Sequence, residues 1–223
     1  MQDRAASTIR RIVHAAGEIF DEDGYAGATT PAIQQRAQVS RGGFYHHFPS
    51  KKALGHAVLE HQNAFFQQMS EAVAPPGGRP FQGLWLQFLV DTSYAYSRGL
   101  RTDPVLRAGV RLSMEPGPFQ RPGSYTPQLA AVSAVLESAR EAAELQPAIR
   151  PEPTAQILVG FFTGVQTLSH IITGRQDLDE QVRTMWSLCL PGIARPEALS
   201  LLRLGPPPAE ADPDAAPGAA PAA

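Results

Sequence analysis

Apolar residues recur at helical spacing along most of the chain, and no stretch shows the two-residue alternation that marks a strand. Ile9, Ile12, Val13, Ala16, Ile19 and Phe20 form one stripe, which the glycine of DEDGY ends where a helix terminus favours glycine. Thr29 and Thr30 stand before Pro31, a cap followed by a first-turn proline, and predict a second short helix through Ala37. Ser40 can cap a third short helix over RGGFYHHF, ended by Pro49, with Phe44 and Phe48 packing beneath it. Ser50 can then cap a long fourth helix over KKALGHAVLEHQNAFFQQMSEAV. The first unit closes near APPGGRP, residues 74 to 80.

Beyond that break the pattern predicts more helices and an all-α protein. FQGLWLQFLVDTSYAYS and TAQILVGFFTGVQTLSHII are apolar on most sides, so neighbours or a partner chain must cover them. YTPQLAAVSAVLESAREAAEL is amphipathic, with Leu129, Val132, Leu136 and Ala139 on one stripe. SMEPGPFQRPGSYTP, rich in Pro and Gly, is expected to run over the surface. From Gly205 the chain has no large apolar residue and is expected to be disordered, because it buries too little to offset the entropy of ordering.

Charge changes this picture at one place. The 223 residues carry a formal net charge of −2, yet Thr29 to Leu54 holds no Asp or Glu. Any nucleic-acid affinity must therefore come from local clustering of positive charge. Two short helices joined by a tight turn, in a window cleared of acids, match the helix-turn-helix that lays its second helix in a DNA major groove. Gly42 and Gly43 fit that reading, since each costs a helix about 1 kcal/mol relative to Ala but lets the backbone approach DNA closely. Arg41 is the candidate for bidentate reading of a guanine edge. Tyr45 and His46 project from the same segment, and Lys51 and Lys52 lie where a duplex backbone would pass. A solvated basic face of a helical bundle is the plainer alternative.

Other chemistry finds little support. His46, His47, His56 and His61 lack Cys or carboxylate partners at metal-ligand spacing, and DEDGY lacks the remaining ligands of a calcium loop. No Ser, His and Asp set, carboxylate pair or phosphate loop emerges, so neither an enzyme nor a cofactor is indicated. The single cysteine, Cys189, forms no intrachain disulfide and is expected to be a buried, inert thiol. With no signal peptide and no uninterrupted apolar span, a soluble cytoplasmic protein without a membrane partner is expected.

The stretch IVHAAGEIFDEDGYAGATTPAIQQRAQVSRGGFYHHFPSKKALGHAVLE resembles the N-terminal domain of the TetR family of transcriptional repressors, over roughly residues 9 to 60. That resemblance implies a helix-turn-helix domain over 1–50, a connecting helix over 51–74, and a ligand-binding and dimerisation domain over 75–204, with 205–223 as the tail. It implies contacts to near-palindromic double-stranded operator DNA from Thr30, Ser40, Arg41, Gly42, Tyr45, His46 and Lys51. It also implies a homodimer built on residues 154 to 173 and 178 to 190, and a small-molecule inducer. DPVLRAGVRLSMEPGP and the loop after it are similar to the γ-butyrolactone receptors that control antibiotic production in filamentous actinobacteria. Those receptors commonly carry a pocket tryptophan where this chain has Gln128, which offers both donors and acceptors. A furan carboxylic acid or a butenolide therefore competes with a plain butyrolactone as inducer.

An inducer pocket needs an apolar enclosure with a few convergent polar groups. Trp85, Phe88, Phe161, Phe162 and Trp186 are the candidate walls; Tyr94, Gln128, Thr163, Gln166 and His170 are the candidate polar groups, with Trp85 and Gln128 foremost. Each could instead be ordinary core or pair across a dimer interface. The reading is a ligand-released repressor; a regulator with an unused pocket, or a helical enzyme or binding module, are the alternatives.

Overall fold

The computed structural model describes residues 2–73, 82–121 and 123–207. Four helices come first: α1 (Gln2–Gly27), α2 (Thr30–Ala37), α3 (Arg41–His47) and α4 (Lys51–Val73). Six follow: α5 (Trp85–Thr102), α6 (Pro104–Met114), α7 (Thr126–Glu141), α8 (Pro151–Thr173), α9 (Leu178–Ile193) and α10 (Pro196–Leu199). Among the described residues the only extended pairing is a single bridge between Leu145 and Ala194. The architecture is all-α. APPGGRP, together with residues 208–223 of the tail, lies outside the described residues.

The capping chemistry is local and follows the sequence. Thr29 Oγ1 accepts the Ala32 N–H at 3.3 Å, Ser40 Oγ the Gly43 N–H at 3.2 Å, and Ser50 Oγ the Ala53 N–H at 3.1 Å. Gly24 turns the backbone at φ 69° near the end of α1, a conformation that costs glycine little.

Helix α6 has no counterpart in the sequence reading, although its start signal is complete. Asp103 Oδ1 accepts the N–H groups of Val105 (2.8 Å) and Leu106 (3.3 Å), and Pro104 occupies the first turn. This helix lies against both α1 and α4 at close range. A Cβ on Gly17 would stand 2.7 Å from the Val105 Cα, and one on Gly109 would stand 2.9 Å from the Gln62 Cβ. Glycine is what permits both approaches.

Two apolar cores result. The N-terminal core gathers Ile12, Phe20, Ile33, Phe44 and Leu54, and it is completed by Val105, Ala108 and Leu112 of α6 and by Phe119. Phe119 is the buried exception in a loop that otherwise runs over the surface: it is 2% exposed, edge-on to Tyr25 at 5.1 Å and to His56 at 5.2 Å. The second core joins α5, α7, α8 and α9 through Leu86, Leu100, Leu136, Leu178 and Leu190. Cys189 is half-buried, and that burial pushes its thiol up, away from the reactive thiolate.

One face of α8 and α9 stays uncovered. Ile157, Leu168, Ile171, Ile172 and Leu188 are each 59–73% exposed. Among the described residues α8 alone is long and apolar enough, by length and composition, to cross a membrane.

Candidate nucleic-acid interface and ligand cavity

Helix α3 presents its polar residues outward on a buried aromatic base. Phe44 is fully buried and Phe48 nearly so, whereas Ser40, Arg41, Gly42, Tyr45 and His46 are exposed. The Arg41 guanidinium lies 5.9 Å from the Tyr45 ring centre, a cation–π approach that orients it. The Tyr45 hydroxyl stands 3.4 Å from Thr30 Oγ1 and links α3 to the start of α2. A Cβ on Gly42 would meet nothing within 4 Å, so packing inside the chain does not demand glycine there; an approaching backbone would. Nearby acids are engaged elsewhere: Glu18 and Glu22 on α1 pair with Arg36 at 3.3 and 3.1 Å.

Lys51, expected to contact phosphate, is engaged within the chain. Its ammonium donates to the carbonyls of Tyr25 (2.7 Å) and Ala28 (2.9 Å) and lies 4.5 Å from the Tyr25 ring centre. It closes the α1–α2 turn, whose carbonyls have left the helix and need donors. Lys52, by contrast, is exposed.

The second core encloses an apolar cavity of about 90 Å³. Helix α4 contributes Gln62, Phe65, Phe66 and Met69, and α5 contributes Leu89, Thr92, Ser93 and Tyr96. Across from them stand Gln128 of α7, Phe162, Thr163 and Gln166 of α8, and Met185 and Trp186 of α9. No charged side chain lines it. Gln128 is 4% exposed, and neither its Oε1 nor its Nε2 has a partner; the Gln166 Oε1 is likewise unpartnered. Such groups each cost about 1–3 kcal/mol when buried unsatisfied, so the cavity is primed to hydrogen-bond what enters it. Gln62 donates to the Tyr96 hydroxyl at 3.1 Å, and burial raises the Tyr96 phenol so that it keeps its proton for donation. Trp186 donates its indole N–H to Ser93 Oγ at 2.8 Å.

Half of the expected pocket residues lie elsewhere, for reasons of helix register. Trp85 shares the Leu89 stripe but opens α5, one turn beyond the cavity, where the Glu144 carboxylate accepts its N–H and that of Leu86, each at 2.8 Å. Phe88 packs edge-on against Trp85. Tyr94 is off the stripe and donates its hydroxyl to the Leu204 carbonyl at 2.7 Å. Phe161 points outward at 39% exposed, and His170 lies one turn past Gln166, outside this cavity. Gln62, Tyr96 and Tyr125 also line the cavity. Nothing local marks them, since a Gln and a Tyr on separate helices become a buried pair only once α4 and α5 pack. Among the described residues no group of three or more His, Cys, Asp or Glu could hold a metal ion.

Comparison with known proteins finds the same fold and family. The model of bacterial regulatory proteins of the tetR family matches residues 12–58, which run from within α1 through α2 and α3 into α4. The A-factor receptor protein of Streptomyces griseus is 37% identical over 202 residues, 91% of this chain and 69% of the relative. The fold overlays the full-length TetR regulator TylP of Streptomyces fradiae with a TM-score of 0.76 at 35% identity, covering 90% of this chain and 93% of that one. A γ-butyrolactone receptor described as ArpA-like gives a TM-score of 0.71 at 26% identity, with 87% and 92% covered. With α3 exposed on its aromatic base and a relative of this identity along nearly its whole length, the chain belongs to the TetR family of bacterial regulatory proteins.

Proposed function

We propose that the protein is a ligand-released repressor: a homodimer holds near-palindromic operator DNA through α3, and a small neutral lactone-type signal in the cavity loosens that hold. The regulated genes, by kinship with receptors of this kind, belong to antibiotic or other secondary metabolism. One observation carries the reading. Helix α4 supplies four cavity residues at one end and, at the other, begins directly after the α3 turn, where Lys51 ties it to the α1–α2 carbonyls.

The cavity is smaller than the roughly 300–1,000 Å³ that encloses a small molecule, so a ligand must part its walls. Met69 and Met185 are the compliant ones, and displacement of Met69 and Phe66 moves α4 itself. A ligand acts only through its differential affinity for the two arrangements, and a coupling of about 3 kcal/mol weakens operator binding roughly 150-fold. Among candidate signals, a butyrolactone or butenolide fits better than a furan carboxylic acid, because a carboxylate in this uncharged lining would be buried unpaired. Its carbonyl would take the Gln128 Nε2 and its hydroxyl the Gln128 or Gln166 Oε1.

The uncovered apolar face of α8 and α9 supports dimerisation. One head reads too few base pairs for selectivity, and two heads on a two-fold axis need half-sites about 34 Å apart. The other face of α8 packs on α7 and α9, and Gln166, Ser169 and Thr163 lie along it, which suits a partner chain better than lipid.

Fluorescence anisotropy with a palindromic operator tests the reading. Arg41→Ala should weaken binding by about 1–3 kcal/mol and relax preference at one position. Addition of a γ-butyrolactone should release the wild type, and light scattering should give twice the 24.0 kDa of one chain. An unchanged affinity for Arg41→Ala together with a stable monomer would overturn it.

A further inference from the structure

The cavity that binds the neutral signal has a charged neighbour on the far side of Gln166. A second cavity of about 330 Å³ lies where α1, α6 and the end of α8 meet, and Gln166 and Val110 stand in the walls of both. Its lining includes Asp21, Arg107, Arg111, Glu115, His170 and Arg175. Two of the three guanidinium groups are matched: Arg107 Nε donates to Asp21 at 2.5 Å, and Arg111 pairs with Glu115 and donates to the Asp21 carbonyl at 2.5 Å.

Arg175 is not matched. It is 7% exposed, its Nε is buried without a partner, and among the described residues it forms no ion pair. Its Nη1 donates to His170 Nδ1 at 2.9 Å; arginine has no acceptor, so that ring nitrogen is the unprotonated one and the imidazole is neutral. A neutral ring adds no counter-charge, and Asp21, which lines the same cavity and attracts the guanidinium from a distance, is itself ion-paired with Arg107. The backbone at Arg175 is left-handed (φ 70°), an uncommon conformation for a side chain of this length. A buried cation without a directly bonded counter-ion is costly and is ordinarily paired. The cation, the buried donor and the cavity occur together.

We propose that this junction cavity binds a compact oxyanion, a small organic carboxylate or a phosphate, with the Arg175 guanidinium as its principal partner and His170 at its mouth. The site is distinct from the lactone cavity: one takes a neutral ligand on amide groups, the other an anion on a guanidinium. Its walls join α1 of the DNA-binding head to α6 and α8 of the sensor, so occupancy would add a contact between the two parts.

Isothermal titration of the full-length dimer with sodium succinate and, separately, sodium phosphate, each at constant ionic strength set with chloride, tests the site. Saturable binding of one anion per chain is expected in at least one arm, and the arm that binds identifies which oxyanion fits. Arg175→Gln should weaken it at least tenfold while the variant keeps the wild-type circular dichroism and release by lactone. His170→Gln should weaken it less and serves as the second variant should Arg175→Gln fail to fold. No saturable binding by the wild type in either arm, or equal binding by all three proteins, would overturn the proposal. Loss of lactone release by the wild type, with anion binding intact, would instead count against the reading of the first cavity alone.

Discussion

The outward face of α3 and the cavity beneath α5 hold polar groups under opposite conditions. Arg41, Tyr45 and His46 are exposed and solvated, so the folded chain bears no burial cost for keeping them available. Gln128 and Gln166 are buried with unpartnered atoms, so the fold carries their desolvation until something bonds them. Removal of an α3 side chain should therefore alter affinity and leave stability alone, whereas removal of a cavity amide should make the protein more stable and less responsive. The energetic sign of a substitution distinguishes the two regions better than its position does.

The contrast can be broken most severely where the regions meet. Phe119 follows α6 in the chain, yet its ring completes the core under α3 and lies against Gly55, where a Cβ would come within 2.3 Å of it. Phe119→Ala should destabilise the protein by about 3–5 kcal/mol in urea denaturation, the range for losing a buried aromatic ring. A loss below about 1 kcal/mol would mean that the head closes its core alone and that the two regions are energetically separate.

Lys51 sharpens the contrast, because it lies beside the exposed residues of α3 and is bonded like an interior one. With two carbonyls dependent on its ammonium, Lys51→Met should lower stability by about 1.5–3 kcal/mol. The salt dependence of operator binding should keep its slope in the folded variant, while Lys52→Ala should flatten it by about one. A flattened slope for Lys51→Met with unchanged stability would return Lys51 to the phosphate-contacting set.

Gln128 is the converse case. Gln128→Leu keeps about the same volume and removes two unpartnered polar atoms, so it should raise stability by about 1–2 kcal/mol and abolish response to a lactone. Calorimetry would register both effects. A destabilised variant would show that a water or a partner already satisfies the amide.

How much of this was legible in the sequence follows the same division. Caps at Thr29, Ser40 and Ser50 act on amides three residues away, so the short helices and the α3 face could be read from local spacing. The cavity depends on which turn of α5 faces which turn of α8, a matter of long-range register. Gln128, Phe162, Thr163, Gln166 and Trp186 fell inside it, while Trp85 and Phe161 fell one turn or one face away. Helix α6 announces its start locally, through Asp103 and Pro104, but its packing on α1 and α4 depends on Gly17 and Gly109 meeting residues far away in the chain. For Lys51 the charge is visible in sequence, whereas the carbonyls of Tyr25 and Ala28 that engage it are not.

The smallest effect lies on the seam between α4 and α6, where His61 Nε2 meets Asp103 Oδ2 at 2.6 Å. The hydrogen bond to Asp103 raises the His61 imidazole above its ordinary 6.5, outweighing the desolvation that opposes it. Burial pushes the Asp103 carboxyl up, but its bonds to His61 and to the Val105 and Leu106 amides prevail and hold it below 3.8. The histidine's contribution is thus fully present below about pH 6.5 and is lost as pH rises through its raised value. The aspartate's is present above about pH 3.8 and is lost as pH falls through its lowered value, so the pair is complete between those limits. The side chains are 47% and 32% exposed, and solvent screening holds the pair to no more than about 1 kcal/mol. His61→Gln keeps a donor for Asp103 without the charge. Its melting temperature should fall below that of the wild type at pH 5.5, and the two should converge by pH 8.5. A gap that stayed constant over that range would mean that the hydrogen bond alone, and not the ion pair, ties α4 to the cap of α6.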